Sequence, residues 1–290
     1  MTRELDILIL GAGWSATFLI PLLQERDLSF AATTTSGHKV AGADTIPWKF
    51  DPEDSEQKSL SSLPRSKHVL ITFPLTGKGQ SKLLASKYNE RHKSEARFIQ
   101  FGSTGIWQIE QQTIWVSRRS PYNKESPRAI AEDELLDLGG CVLNLAGLWG
   151  GERNPKNWAD RVAKTKEDVK GKKSLHMVHG VDVARAVLAV VGSEWGSMAK
   201  GQRWMLTDGF VYDWWSLFAG WADVSSSGGD DEGKTEKADR RPSNQAKWVF
   251  ELMLEEKIWA LPRSMEALGR CYFGREFWDN FQLAPLKARI

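Results

Sequence analysis

The 290-residue sequence predicts an α/β fold built on a parallel, doubly wound sheet, with a smaller C-terminal portion set to one side. Three observations carry this expectation. An apolar run, Leu5–Leu10, leads directly into Gly11-Ala12-Gly13-Trp14-Ser15-Ala16. An apolar-faced helix pattern follows at once. Strand-like and helix-like patterns then alternate through the first half of the chain, the order that builds βαβ units.

Each element follows from its local pattern. The first strand spans 5–10, and the first helix spans about 14–26, with Phe18, Leu19, Leu22 and Leu23 as its apolar stripe and Pro21 as a point of kinking. Ser29–Thr34 reads as the second strand and Asp44–Phe50 contains a short one. His68–Phe73 is a strand, 77–92 a helix, and Arg97–Gly102 the next strand. Pro127–Leu138 opens with a proline suited to a first helical turn, and Cys141–Leu145 is apolar and strand-like. Beyond this the pattern changes. Residues 154–170 read as a helix with a charged face, Leu175–Val178 as a short strand, and Val181–Val191 as an amphipathic helix. Trp204–Thr207 reads as the last strand of the sheet, followed by helical stretches at 212–222 and 243–261. Ser225–Pro242 has no large apolar residue and reads as a surface insertion. The expected division is a domain over 1–150 and a portion over 151–290 that completes the fold.

The strand–turn–helix at 5–26 carries the first functional signal. In G-x-G-x-x-A between a strand and a helix, Gly11 permits the tight turn, Gly13 lets the backbone approach a pyrophosphate, and Ala16 allows close helix–strand packing. Unpaired amides at the positive end of the helix, around Trp14 and Ser15, then face the anion. The sequence therefore predicts a dinucleotide site on a Rossmann-type sheet.

Composition excludes other classes. The net charge of +2 and the even spread of Lys and Arg give no pull toward nucleic acid or an anionic membrane surface. Cys141 and Cys271 have no metal-ligand spacing, no H-E-x-x-H occurs, and no metal is expected. There is no basic-then-apolar leader and no apolar run long enough for a membrane span, so the expected setting is cytoplasmic. The terminal Ala288-Arg289-Ile290 is a poor relative of a peroxisomal S-K-L.

Three further blocks resemble one family. Gly102-Ser103-Thr104-Gly105-Ile106-Trp107 is similar to the S-S-T-G-V-Y-G segment of extended and atypical short-chain dehydrogenases/reductases, the nucleotide-sugar epimerase type. Leu143–Gly151 resembles their L-R-L-A-G-I-Y-G-P, and His176–Ala186 resembles their I-H-V-D-D-V-A-R-A. With the glycine turn, four blocks match in order over about residues 5–192.

What the resemblance implies, and where the chain departs from it, define the candidate site. In that family a Ser at the end of the fifth strand works with a Tyr-x-x-x-Lys pair during hydride transfer. Ser103 matches the Ser, but Arg128 stands in the Tyr place and Glu132 in the Lys place. Arginine does not deprotonate near neutral pH, and a glutamate reverses the charge that would activate a tyrosine. Tyr122 and His179 are the side chains left as proton donors, with water as a third source. His179 is better read as a structural or hydrogen-bonding residue, and Asp182 as a helix N-terminal acid. Glu132, Asp133 and Glu134 read as a solvated helix face, with Glu132 alternatively pointing at the pocket. Trp107 and Trp149 stand where the family has tyrosines.

The cofactor expected is NADP rather than NAD. An NAD site usually places Asp or Glu at the end of the second strand for the ribose, and Ala31–Lys39 has none. Thr35 falls where relatives carry Arg for a 2′-phosphate, and Ser36 and Lys39 offer a hydroxyl and a charge. Phe73 and Pro74 follow the strand where the family chain passes the cofactor ribose, and Asp51 either matches the family's acid near the adenine or caps the turn Asp51-Pro-Glu. Arg153, after the Leu143–Gly151 block, is a candidate clamp for an anionic substrate group.

Three functions remain open. One is a reductase or epimerase of a small hydroxy or keto metabolite with an unusual proton donor. The second is a dinucleotide-sensing or partner-binding protein without turnover. The third is a non-redox isomerase or lyase in the same pocket. Members of the family the chain resembles are often homodimers, but no helix here is distinctive enough as an interface to argue from.

Overall fold

The computed structural model describes residues 4–110, 113–222 and 242–290. A seven-stranded parallel sheet forms its centre. Its strands are β1 (Leu5–Leu10), β2 (Phe30–Thr34), β3 (Ile46–Pro47), β4 (Ser66–Ile71), β5 (Arg97–Ser103), β6 (Cys141–Leu145) and β7 (Arg203–Leu206). Their spatial order is β7-β6-β5-β4-β1-β2-β3. The order reverses between β1 and β4, which places a crevice at their carboxyl ends.

Period-two alternation within buried strands explains the layers. Ile7 and Ile9 face one side with α1 (Ala16–Glu25), while Leu8 and Leu10 face the other, where α2 (Gln80–His92) and α3 (Pro127–Asp137) pack. Helix α4 (Gly180–Gly192) lies against α1, and its Val183, Val187 and Leu188 join the first layer. The contact is close because Gly180 leaves room for Phe18: a Cβ there would lie 2.3 Å from the ring. Helix α1 runs through Pro21, which is exposed on the outer face.

The C-terminal half adds β7 to the sheet and builds a separate aromatic core. Trp214, Trp215, Phe218 and Trp221, on and just after α5 (Trp214–Gly220), pack against Val249 and Leu252 of α6 (Asn244–Glu255). Buried Asp213 caps α5 through the Trp215 amide and pairs with the Arg263 guanidinium at 2.7 Å. Asp182, expected as a simple helix acid, is fully buried and accepts the amides of Leu286 and Lys287 at 2.9 and 3.0 Å. It ties the last described segment to α4.

Several elements differ from the sequence expectation. The helix expected over 154–170 is three short pieces: a 3₁₀ turn at Pro155–Trp158 and helical turns at Ala159–Val162 and Lys166–Gly171. Thr165 and Asp168 form a capping box that restarts the chain between them. The last long helix stops at Glu255 rather than 261, and Lys257 follows at φ 55°. The strand expected at 175–178 is two: Ser174–Leu175 pairs antiparallel with Tyr212–Asp213, and Met177–His179 pairs parallel with Gly147–Trp149. Trp115–Ser117 and Cys271–Phe273 form an unforeseen parallel pair. The insertion expected over 225–242 lies outside the described residues except Pro242. Among the described residues no helix is long and apolar enough to cross a membrane.

Candidate functional site

The crevice between β1 and β4 opens into two adjoining cavities that share Gly11 and Phe73. The larger, about 550 Å³, runs from Gly11, Gly13, Trp14 and Ser15 past Thr72 to Ser103, Arg128, Leu148 and Arg153. The smaller, about 380 Å³, lies over Thr35, Trp48, Lys49, Phe50, Phe73 and Pro74.

The turn is shaped as a cradle. Gly11 sits at φ +86°, and a Cβ there would meet Thr72 Oγ1 and the Phe73 ring at 3.0 Å, so glycine is required twice over. Its amide donates to Thr33 Oγ1 at 2.9 Å. Gly13 differs: a Cβ there would meet nothing within 4 Å, because the space before it is the cleft itself. Ser15 caps α1 without a side-chain bond, and the amides of Trp14 and Ser15 have no hydrogen-bond acceptor among the described residues. Unpaired donors at the start of a helix are suited to an anion. Trp14 ties the turn to the far wall, its Nε1 donating to Gly150 O at 3.0 Å while the Arg153 guanidinium lies 4.4 Å from its ring centroid.

The smaller cavity is an aromatic slot. Phe50 stacks on Phe73 at 6.0 Å, and Trp48 tilts against Phe73 at 6.1 Å. Flat apolar walls of this kind suit a purine. No carboxylate lines it, and Lys49 does. Of the residues expected to choose the cofactor, Thr35 lines this cavity. Ser36 and Lys39 do not: Ser36 Oγ bonds His38 Nδ1 at 2.9 Å, and Lys39 pairs with Asp44 at 3.2 Å on the surface. Lys49 was missed because it falls in a segment read for strand pairing. Asp51 accepts the Glu53 amide in an exposed turn.

The far end carries Ser103 and Arg128. The Ser103 amide donates to Glu132 Oε1 at 3.0 Å, and its Oγ accepts the Gly105 amide at 3.0 Å, capping the turn at Thr104–Trp107. That leaves the hydroxyl proton available to the cleft. The Arg128 Nη2 donates to Phe101 O at 2.8 Å, while its Nε is buried without a partner. Glu132 corrects the expectation of a solvated face. It is fully buried, bonds Asn144 Nδ2 at 2.7 Å, and lies 3.3 Å from Arg203 and 3.8 Å from Arg128. Burial pushes its carboxyl above the usual range, opposed by the Asn144 bond and the Arg203 charge. Its position was foreseeable, since Arg128, Glu132 and Leu135 share one helix face and Leu135 is apolar. Glu134 accepts the Gly79 and Lys82 amides and so caps α2.

The proton-donor candidates lie elsewhere. Tyr122 donates to Asp133 Oδ1 at 2.8 Å beneath the Arg203 guanidinium and does not line either cavity. Burial and the Asp133 bond raise its phenol above its ordinary value. His179 caps α4, its Nδ1 accepting the Val181 amide at 3.1 Å, between the rings of Phe18 and Trp149. Burial lowers its pKa. Trp107 is fully buried and bonds Ser120 O, and Trp149 packs on the aromatic core. Among the described residues no group of three or more His, Cys, Asp or Glu is placed to hold a metal.

No family model and no curated protein matches the sequence. Solved structures do. UDP-glucose 4-epimerase from Thermotoga maritima, solved with UDP-glucose, aligns over 97% of this chain and 94% of its own at 15% identity and TM-score 0.58. A short-chain dehydrogenase/reductase superfamily protein from Agrobacterium tumefaciens with bound NAD aligns over 97% and 93% at 10% identity and TM-score 0.61. Vestitone reductase from alfalfa aligns over 94% and 98% at 16% identity and TM-score 0.56. The fold is that of the short-chain dehydrogenase/reductase and epimerase structures. At these identities the likeness speaks for the fold, and the chemistry must be argued from this chain's own residues.

Proposed function

We propose that the crevice binds a nicotinamide dinucleotide, NADPH in preference to NADH, and that the protein reduces the carbonyl of a small metabolite. The observation that carries this reading is one continuous crevice, at the carboxyl ends of β1 and β4, joining an uncapped glycine turn to Ser103. The residues fit the cofactor. Gly11, Gly13, Trp14 and Ser15 would hold the diphosphate, with Arg153 at the mouth. Trp48, Phe50 and Phe73 would enclose the adenine. Thr35 and Lys49 would receive a 2′-phosphate, in a pocket with no acid to bond a free ribose hydroxyl. When bound in reduced form, the nicotinamide supplies the hydride.

The chain's part in the chemistry is orientation and polarisation. Ser103 is fixed by Glu132 and Asn144 through its backbone, so its hydroxyl can donate to a carbonyl oxygen in the cleft. As the carbonyl carbon takes the hydride, its π electrons move to oxygen, and that oxygen takes its proton from water. Solvent is the source because no side chain lining the described cleft is a carboxyl, imidazole, phenol or thiol. The test is cofactor oxidation with a panel of small carbonyl compounds. Ser103→Ala should lower turnover roughly 100-fold, in the range seen on removing one oxyanion donor, with cofactor affinity unchanged. Equal turnover in native protein and Ser103→Ala would refute the assignment.

A second reading, a dinucleotide sensor without turnover, draws support from the same lining and from the Tyr122 hydroxyl being committed to Asp133. It predicts tight cofactor binding and no oxidation with any carbonyl compound.

A further inference from the structure

The two cations of the larger cavity lie at opposite ends of it, and a diphosphate on the glycine turn would meet only one of them. Its lining holds two guanidinium groups, Arg153 and Arg128, and no carboxylate. Arg153 is exposed and stacked on Trp14 beside the glycine turn, so its natural counter-charge is the diphosphate. Arg128 is at the other end, in a wall of Phe101, Leu145 and Leu148, beside Ser103. Its nearest acid is shared: Glu132 pairs with Nε only at 3.8 Å, and its oxygens also bond Asn144, Arg203 and the Ser103 amide. The Arg128 Nε is buried toward Glu132, whereas Nη1 makes no hydrogen bond among the described residues and is not buried, which leaves this half-buried guanidinium a donor for an anion in the cavity.

We propose that Arg128 holds the carboxylate of a small 2-oxo acid, whose adjacent carbonyl is the one Ser103 polarises. This rests on the cofactor-dependent reading above and names its substrate class. Three features favour a carboxylate. The Nη2–Phe101 O bond holds the guanidinium in place and leaves Nη1, which makes no hydrogen bond among the described residues, to meet a carboxylate oxygen. One monoanion balances one cation in an apolar wall, whereas a phosphate dianion would leave excess charge there. A cavity of about 550 Å³ shared with a nicotinamide leaves space for only a few more atoms. The residue in the family's tyrosine place therefore binds substrate and transfers no proton. The balance of the reduction is unchanged: hydride to the carbonyl carbon, the electron pair to oxygen, a proton from water.

The test is a calorimetric titration of pyruvate into protein saturated with NADP⁺, where the oxidised cofactor precludes reduction. Methyl pyruvate and inorganic phosphate serve as neutral and dianionic probes. Pyruvate should bind, and both controls should bind at least about tenfold more weakly. In Arg128→Gln, pyruvate affinity should fall by about tenfold or more while NADP⁺ affinity changes less than roughly threefold. Arg128→Lys, which keeps the charge and loses the planar fork, should fall between them and supplies the comparison if Arg128→Gln does not fold. Equal binding of pyruvate and its ester, tighter binding of phosphate, no pyruvate binding, or native pyruvate affinity in the folded variants would overturn the proposal while leaving the cofactor reading intact. Absence of NADP⁺ binding to the folded native protein would bring down the cofactor reading, and this proposal with it.

Discussion

The two ends of one crevice contrast sharply. At the turn end, Gly11 holds a positive φ, Gly13 faces open space and α1 starts without a side-chain cap. At the Ser103 end, the serine remains but the tyrosine and lysine places hold Arg128 and Glu132, and Glu132 has been drawn into the core. The difference teaches that one end is shaped by backbone and the other by side chains. A cofactor cradle is made from backbone and depends on glycines. A proton relay of the kind the resemblance implies needs two particular side chains, and those places hold Arg128 and Glu132, the latter braced by bonds to Asn144 and Arg203.

The bracing is where the comparison can be broken hardest. His176 accepts the Tyr272 amide at 2.9 Å, and the Tyr272 hydroxyl donates to Thr104 O, next to Ser103. Burial lowers the His176 pKa from 6.5 to about 3. The unfolded chain therefore takes a proton there near pH 6.5 while the folded protein refuses it, so stability drops as pH falls from 6.5 toward 3. His176→Gln, whose amide oxygen can still accept the Tyr272 amide, should flatten that acid loss by up to several kcal/mol, read as melting temperature against pH. The variant is compared with the native curve because Asp208, raised to about 6 by burial, titrates in the opposite direction. Parallel curves would contradict this account.

At the turn end, Gly13→Asp places a carboxylate in open space. Dinucleotide affinity should fall by roughly 100-fold, about 2.7 kcal/mol, with the melting temperature unchanged, since nothing packs against the new side chain. A smaller change of the same kind is expected at Lys49→Ala. NADPH should bind about tenfold more weakly, and NADH as before. Equal loss for both cofactors would move the 2′-phosphate elsewhere. The smallest effect is expected at Tyr122→Phe, which removes the hydrogen bond to Asp133 and should cost about 1 kcal/mol of stability without altering cofactor affinity or turnover. Loss of turnover with the fold intact would return Tyr122 to the chemistry.

What could be seen in the sequence followed the physics of each signal. The sheet and the turn were legible because buried strands advertise themselves as apolar runs and the turn as glycines. The pairing of Trp115–Ser117 with Cys271–Phe273 was not, since nothing local connects strands so far apart in the chain. The 154–170 stretch misled because its apolar spacing is helical although Thr165 restarts the chain midway. Of the cavity lining, Ser103 could be reached through the order of the matching blocks, which marked Arg128 only as a departure at the tyrosine place. Lys49 escaped because one lysine in a short extended segment carries no periodicity, and Glu132 because a charged residue on a helix is ordinarily solvated.

The central claim, that the turn end is a working dinucleotide site, is tested most directly by calorimetric titration of the purified protein with NADPH and then NADH. The account predicts saturable, micromolar or tighter binding of NADPH and weaker binding of NADH. No heat of binding with either, in protein shown to be folded, would contradict it.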